Sequence, residues 1–368
     1  MEYRLTPVTY DMLPGWKEDD PSSLFPSMAR ASNHIRNVKP YRKGRLGISA
    51  ASLEKIYREA EGFAPADAAE ARDFIEKRFR PFRIRPANGA DGFVTAFYEP
   101  EVEVSAEPDE TWCHPFYRRP DDLVDLDDEN RPAGMDAGYA FGLRTETGID
   151  YYPDRQAIDR GWLAGRGLEI AWARSKVDVF FAHVQGAARL VYRDGTVRRI
   201  TYAAKAGHPF TGIGRHLVES GELDAQTVSM QSIRKWLADH PQRVDEVLWK
   251  NRSYIFFREA EVDDPRLGPI AAAKIPLEPM RSIAVDKQIH TFSSLFYVVS
   301  PTLTHLTDGQ PLRRLMMALD TGTAIVGPAR GDIFTGSGAI AGELAGTVRN
   351  AADFYVLVPS DQAELLDG

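Results

Sequence analysis

Cysteine is almost absent: Cys113 is the single thiol in 368 residues. No internal disulfide can form, which excludes a disulfide-stapled scaffold, and no multi-cysteine metal site can be built. No stretch approaches the eighteen or so apolar residues of a membrane span. A basic surplus is missing too. The formal net charge is −8, and the arginines that do adjoin, Arg118-Arg119, Arg198-Arg199 and Arg313-Arg314, are pairs set among acids. Nucleic acid, which is bound through clustered cations, is therefore not an expected partner. The eight histidines include no His-x-x-x-His pair or facial triad, so no metal and no cofactor are expected. His208, alone in a loop, reads as structural. No Gly-x-Ser-x-Gly elbow occurs, Cys113 has no activating neighbours, and Gly336-Ser337-Gly338 lacks the Gly-Lys-Ser/Thr of a phosphate cradle. The first residues, Met1 to Pro7, show neither an apolar leader segment nor a lipid-accepting cysteine. That leaves two readings, a cytosolic protein or a leader absent from this chain.

What is there is enough for two domains: 43% hydrophobic residues over this length support sizeable cores. The spacing predicts a helix near 24–35 and a helical stretch over 51–79, ended by Pro81. A strand is expected over 93–98, stopped by Pro100, with Glu99 at its mouth. Residues 105–140 are rich in acids and prolines. Short β-runs are expected over 177–184, 188–192 and 197–202, with Asp194-Gly195 as a hairpin turn. A short helix over 213–218 stops at Gly221. Met230, Ile233, Trp236 and Leu237 form a helical stripe with Ser229 as N-cap. Strand texture returns over 254–257, 282–285, 295–299, 315–319 and 354–358. Many short strands with Gly/Pro turns predict a mainly β fold built on barrels, with a few flanking helices. The ends share one texture and the middle has another. The expected organisation is one discontinuous domain, 1–102 with 246–368, and a β-domain inserted at 103–245.

The chemistry is expected in the stretch from Leu319 to Phe334. Asp320 ends the apolar run 315–319, Gly322 and Gly327-Pro328 break the chain, Arg330-Gly331 turns it, and Asp332 leads Ile333-Phe334. A carboxylate beside apolar groups is poorly solvated, so its pKa rises, as a carboxylic general acid requires at neutral pH. Capping of turns is the plainer reading of the same aspartates. Asp286 closes a third apolar run. Asp320-Thr321-Gly322 also matches an aspartic-protease triplet, but that chemistry needs two such loops and no second one exists. Aromatic residues are dense in the first half, and most read as core. Tyr98, between Thr95 and Glu99, is the one expected to stack on a sugar ring.

These residues together resemble the MltA-type lytic murein transglycosylases, over nearly the whole chain. Phe93-Val94-Thr95-Ala96-Phe97-Tyr98-Glu99-Pro100 is similar to the family's F-x-T-G-Y-Y-E-P. Pro115 to Pro120, Gly167 to Trp172, Phe180 to Gly186, Gly207-His208-Pro209, Ser229-Met230-Gln231 and Ser253-Tyr254-Ile255-Phe256-Phe257 follow in order, and Asp286, Asp320 and Asp332 resemble the three aspartates of the 3D segment. The resemblance implies a double-psi β-barrel with a second β-barrel-like domain inserted, and a groove for peptidoglycan glycan strands between them. It implies cleavage of the β-1,4 bond between N-acetylmuramic acid and N-acetylglucosamine with a 1,6-anhydromuramic product. Asp332 matches the catalytic aspartate and Asp320 its partner. Asp286, Thr95, Tyr98, Glu99, Gln185, Gly186 and Lys205 are the implied substrate contacts. A periplasmic, outer-membrane-associated monomer is implied, with other cell-wall enzymes as further partners. Four positions depart from the pattern: Ala96 and Val326 replace a glycine and a lysine, Ala187 replaces a serine, and His290 stands in place of the proline of an I-P-L-G segment. They keep open a second class, a glycan-binding barrel without turnover.

Overall fold

Six strands close on themselves around the aspartates. The computed structural model describes residues 3–262 and 264–366. Within it the ring runs Gly92–Glu99, Arg349–Pro359, Leu295–Ser300, Leu312–Asp320, Ser282–Ala284 and Arg330–Ser337, and the first two strands pair to complete it. Ser282–Ala284 lies parallel to Leu312–Asp320 and antiparallel to Arg330–Ser337. Arg349–Pro359 is long enough to serve two neighbours along one edge. Its first residues pair with Gly92 to Thr95, and the stretch from Phe354 onward pairs with Phe79–Pro86. Tyr3–Pro7 then forms the outer edge.

The strands of this ring are apolar along nearly their whole length. Leu295–Ser300 is buried at every position, and Leu315 to Leu319 likewise. Such continuous runs need cover on both faces. The helices Phe25–Asn37, Ala50–Glu59 and Ala68–Arg78 supply it, since Met28, Leu53, Tyr57, Phe74 and Ile75 belong to the same core as Phe296, Met316 and Val356. Full burial of each such side chain contributes about 1.5–3 kcal/mol. Ser49 and Asp67 cap the last two of these helices through the amides of Ser52 and Glu70. The helical stretch expected over 51–79, with one face at Leu53, Ile56 and Tyr57 and another at Phe74, Ile75 and Phe79, forms two helices, and Phe79 opens the following strand. Pro81 does not end a helix but sits inside the strand Phe79–Pro86, where its fixed φ suits extended backbone.

The chain divides into two units, one from Met1–Tyr98, Val262–Gly336 and Ile340–Gly368, the other from Glu99–Glu261 and Ser337–Ala339. The return boundary, expected at 245/246, lies at 261/262, because Ile255–Glu259 pairs antiparallel with Val197–Lys205. The second unit holds a six-stranded sheet in the order Ile255–Glu259, Val197–Lys205, Ala187–Tyr192, Glu101–Ser105, Glu169–Ala173, His114–Tyr117. A bridge from Arg118 to Phe257 brings its two edges together. A three-stranded sheet, Leu123–Asp125, Phe141–Thr145 and Gly148–Asp150, accompanies it. Met230–Asp239 starts at a Ser229 capping box, as its sequence predicts.

Residues 177–184, expected as a strand, lie in the helix Lys176–Gln185. Valine and phenylalanine favour strands only weakly, and packing overrides the preference. Ser175 accepts from the amide of Val177 at one end, and Gly186 takes φ +76° at the other, the left-handed cap that glycine adopts without cost. Phe180 and Phe181 then pack with Leu217, Trp236 and Leu237.

The amino-terminal segment is tied to the ring by one buried ion pair. Arg281 donates from Nη1 and Nη2 to the two carboxylate oxygens of Asp19, at 2.9 and 2.8 Å, and the amide of Leu315 donates to Asp19 at 2.8 Å. Both side chains are buried. Arg281→Met should therefore cost about 3–5 kcal/mol, because it strands a buried carboxylate. Arg281→Met with Asp19→Leu should recover most of that loss. Denaturant midpoints of the single and double variants check this; equal midpoints for the two would disprove it.

Candidate active site

Asp320 and Asp332 meet through one residue between them. Ala284 pairs with Asp332 on one side and Asp320 on the other. Residues opposed across a ladder point to the same face, so both carboxyls stand on the side of Ala284. The register that does this is irregular. Ile283 pairs with Ala318, yet Ala284 pairs with Asp320, so Leu319 is an extra residue. Without that bulge Leu319 would oppose Ala284 and Asp320 would turn to the other face. Arg330-Gly331, expected as a turn, belongs to the strand Arg330–Ser337; the turning is done by Thr321 to Ala329, where Gly327 takes φ +119°.

Both carboxyls are half-buried. Burial raises the pKa of Asp320 to about 6, against donation from the amides of Thr321 and Ala272; the charge of Asp332 adds to the rise and Lys274 opposes it. Burial also raises Asp332, while the Thr95 hydroxyl and the Arg330 guanidinium pull it back. Thr95 donates its hydroxyl proton to Asp332 Oδ1 and accepts from Arg330 Nη2 at 2.7 Å. Arg330 lies over the Phe93 ring, 5.3 Å from its centre. The sequence reading did not single out Arg330. Its position two residues before Asp332, on the same strand face, was the available signal.

The remaining expected site residues fall into different settings. The Asp286 carboxylate accepts from the amides of Gln288 and Gly327, both at 2.9 Å, so it anchors the far end of the Thr321–Ala329 loop. His290 joins it: its Nε2 donates to the carbonyl of Pro328 at 2.9 Å, and burial pushes its pKa down to about 4. Glu99 ends the strand Gly92–Glu99, as expected, but faces no open mouth. It is fully buried, with Oε2 taking Arg189 Nε at 3.0 Å and Ser337 Oγ at 2.6 Å, and with Arg199 Nε 3.4 Å from Oε1. Tyr98 is 7% exposed, and Gly342 is glycine because a Cβ there would lie 2.7 Å from the Tyr98 ring. Gly186 caps a helix, Gln185 is that helix's last residue, and Lys205 ends the strand Val197–Lys205; both side chains are half-buried. His208 is buried, with Nε2 2.6 Å from the carbonyl of Tyr152.

Two half-buried carboxyls with raised pKa on one face of the closed sheet fit the class of enzymes that work by carboxyl proton transfer. Comparison with known proteins narrows it. The "MltA specific insert domain" family matches residues 93–258 and the "3D domain" family residues 281–358. A crystal structure of a membrane-bound lytic murein transglycosylase from Agrobacterium tumefaciens is 62% identical, with 98% of this chain and 99% of that chain covered and a TM-score of 0.94. Membrane-bound lytic murein transglycosylase A of Escherichia coli is 28% identical over 338 residues, 89% of this chain and 80% of that protein. A crystal structure of Escherichia coli MltA with bound chitohexaose is 26% identical, covering 91% and 90%, with a TM-score of 0.67. The chain belongs to the MltA family of lytic murein transglycosylases, enzymes that cleave peptidoglycan.

The raised pKa of Asp320 has a consequence for stability. Its folded value, about 6, exceeds the ordinary 3.8, so the native state binds more protons between those limits. Its contribution to stability is then unchanged below about pH 3.8, falls as pH rises to about 6, and stays low above. Asp320→Asn cannot ionise, so its stability relative to the parent should rise across that window. Unfolding free energies measured from pH 3.5 to 7.5 check this, and a flat difference would contradict it.

Proposed function

We propose that the protein cleaves the β-1,4 bond between N-acetylmuramic acid and N-acetylglucosamine with Asp332 as the one acid and base, and that it releases a 1,6-anhydromuramic end. The observation that carries this reading is the setting of Asp332, raised by burial and still partly accessible. Protonated Asp332 donates to the glycosidic oxygen, and the C1–O bond breaks with positive charge growing at C1. The carboxylate then takes the proton of the C6 hydroxyl while O6 bonds to C1. Asp332 is protonated again at the end, and no water is consumed, so the two-carboxylate spacing of a hydrolase is not needed. Asp320 tunes its neighbour by charge and leaves the proton to Asp332.

The reading gives the glycan contacts to Tyr98, Gln185, Gly186 and Lys205, with Thr95, Asp286 and Glu99 holding the site's framework. It takes the closed ring as a double-psi barrel. It needs no cofactor and places the protein as a monomer on peptidoglycan at the outer membrane, facing the periplasm. The chitohexaose held by the Escherichia coli relative supports a glycan ligand, and that relative's membrane-bound name supports the location. Among the described residues no helix is long and apolar enough to cross a membrane.

Binding without turnover is the second reading. It is favoured by Val326, which stands 69% exposed on the loop between the aspartates where the family pattern has a lysine. A murein zymogram with product analysis separates the two, since a binder retains murein and makes no anhydro product. Asp332→Asn should lower turnover by about 10⁴-fold, the upper end for a general acid, because one group serves both steps. Murein binding should stay nearly intact. Asp320→Asn should cost less and move the acidic limb of the pH–rate profile. An Asp332→Asn variant that keeps more than about a tenth of the activity would shift the assignment to Asp320. Lytic activity should also survive a chelator; loss restored by zinc or magnesium would overturn the metal-free reading.

A further inference from the structure

Four side chains form a small lattice beside the acid. Phe93 and Thr95 lie two residues apart on the strand Gly92–Glu99, and Arg330 and Asp332 two apart on the neighbouring strand Arg330–Ser337. Each pair therefore shares a face. Arg330 is fixed on three sides. It lies over Phe93, donates from Nη1 to the carbonyl of Gly331, and donates from Nη2 to Thr95 Oγ1. A guanidinium can only donate, and a threonine hydroxyl has one proton and two lone pairs. With Arg330 occupying a lone pair of Oγ1, the hydroxyl proton is left for Asp332, and Thr95 Oγ1 donates to Oδ1. Oδ1 is then held as an acceptor whichever way Asp332 is protonated.

We propose that Arg330 is a positioning residue that acts through the Thr95 hydroxyl, so that the reactive proton of Asp332 is carried on Oδ2. The inference rests on Asp332 being the acid. A carboxylic acid free to exchange its proton between two oxygens presents the wrong one to the glycosidic oxygen part of the time; the Arg330–Thr95 pair removes that freedom. The charged groups around Asp332 are Arg330 on its own strand, Asp320 across Ala284, and Lys274 beside Asp320. Thr95 and Arg330 both favour the ionised form of Asp332, so loss of either moves its titration to higher pH.

The test compares Thr95→Val, Thr95→Ser, Arg330→Met, Arg330→Lys and the Thr95→Val with Arg330→Met double variant on purified murein, from pH 4 to 9. Thr95→Val and Arg330→Met should each lower kcat by ~10- to 100-fold, the loss of one charge-assisted hydrogen bond, with KM little changed. The limb on which activity falls with rising pH should move upward in both. Thr95→Ser should stay close to the parent. The double variant should lose little more kcat than the worse single one, because the two residues act in series. Losses that multiply, an effect confined to KM, or an unmoved limb would overturn the proposal. If Arg330→Met does not fold, Arg330→Lys decides: it keeps the charge but cannot reach both Gly331 and Thr95, so it should lose kcat, and parent-like kcat would be contrary. Asp332→Asn separates the two levels. If it stays active, the acid is misassigned; if it is dead while Arg330 and Thr95 variants are normal, only the relay fails.

Discussion

Leu319 is the extra residue where the Leu312–Asp320 strand bulges against Ser282–Ala284, and the placement of both carboxyls depends on it. A strand has a period of two, so one inserted residue decides which side chain faces the neighbour. Here the insertion keeps Leu319 in the core, fully buried, and still delivers Asp320 to the face of Asp332. The core thus loses no apolar side chain to the site. Asp320 and Asp332 also sit at positions where the surrounding strands exclude water, and that exclusion, more than their mutual repulsion, raises both.

The magnitudes support this ranking. Two inter-strand steps put the Asp320 and Asp332 backbones roughly 10 Å apart. Two unit charges at that separation repel by about 1.7 kcal/mol in an effective dielectric near 20, which is about one pKa unit. The rise of Asp320 from 3.8 to about 6 is larger, and two backbone amides and Lys274 work against it. Desolvation must therefore supply most of the rise. Asp332 is moderated differently, by a side-chain hydroxyl and a fixed cation. The same physical cost is thus trimmed by backbone at one aspartate and by side chains at the other. Side-chain donors can be aimed at one oxygen, which suits the proton-donor role proposed for Asp332.

Much of this was legible along the chain. Local signals carried well: the strand after Asp91, the apolar runs ending in aspartate, and the Ser229 cap were all read from adjacent residues. The Lys176–Gln185 helix was misread because its composition suggested a strand. Its own punctuation, Ser175 before and Gly186 after, was present and outweighed that composition. Pro81 misled in the opposite direction, as a breaker where extended backbone accommodates it. The bulge at Leu319 leaves no local mark, since an inserted leucine in an apolar run looks like any other; it exists only in the pairing. The same holds for Glu99, whose partners Arg189 and Arg199 lie about ninety and a hundred residues away in sequence.

That contrast separates two kinds of acidic residue in this chain. Asp19 and Asp286 have both carboxylate oxygens taken by donors, the Arg281 fork and two backbone amides, whereas Glu99 is hydrogen-bonded at Oε2 by Arg189 and Ser337 and only faces Arg199 at Oε1. At Glu99 burial outweighs its partners and raises the pKa, while Arg199, Ser337 and Arg189 pull it back. Asp332 differs in kind. Its Oδ1 receives the Thr95 hydroxyl, while Oδ2 takes no donor from the described residues. A carboxyl held at one oxygen and uncommitted at the other can cycle between acid and base without rebuilding its surroundings. Burial alone does not distinguish it, for Glu99 is more deeply buried. What distinguishes Asp332 is an uncommitted oxygen on a side chain that is only half-buried, beside a fixed cation, and this follows from how the strands of Thr95 and Arg330 lie against each other.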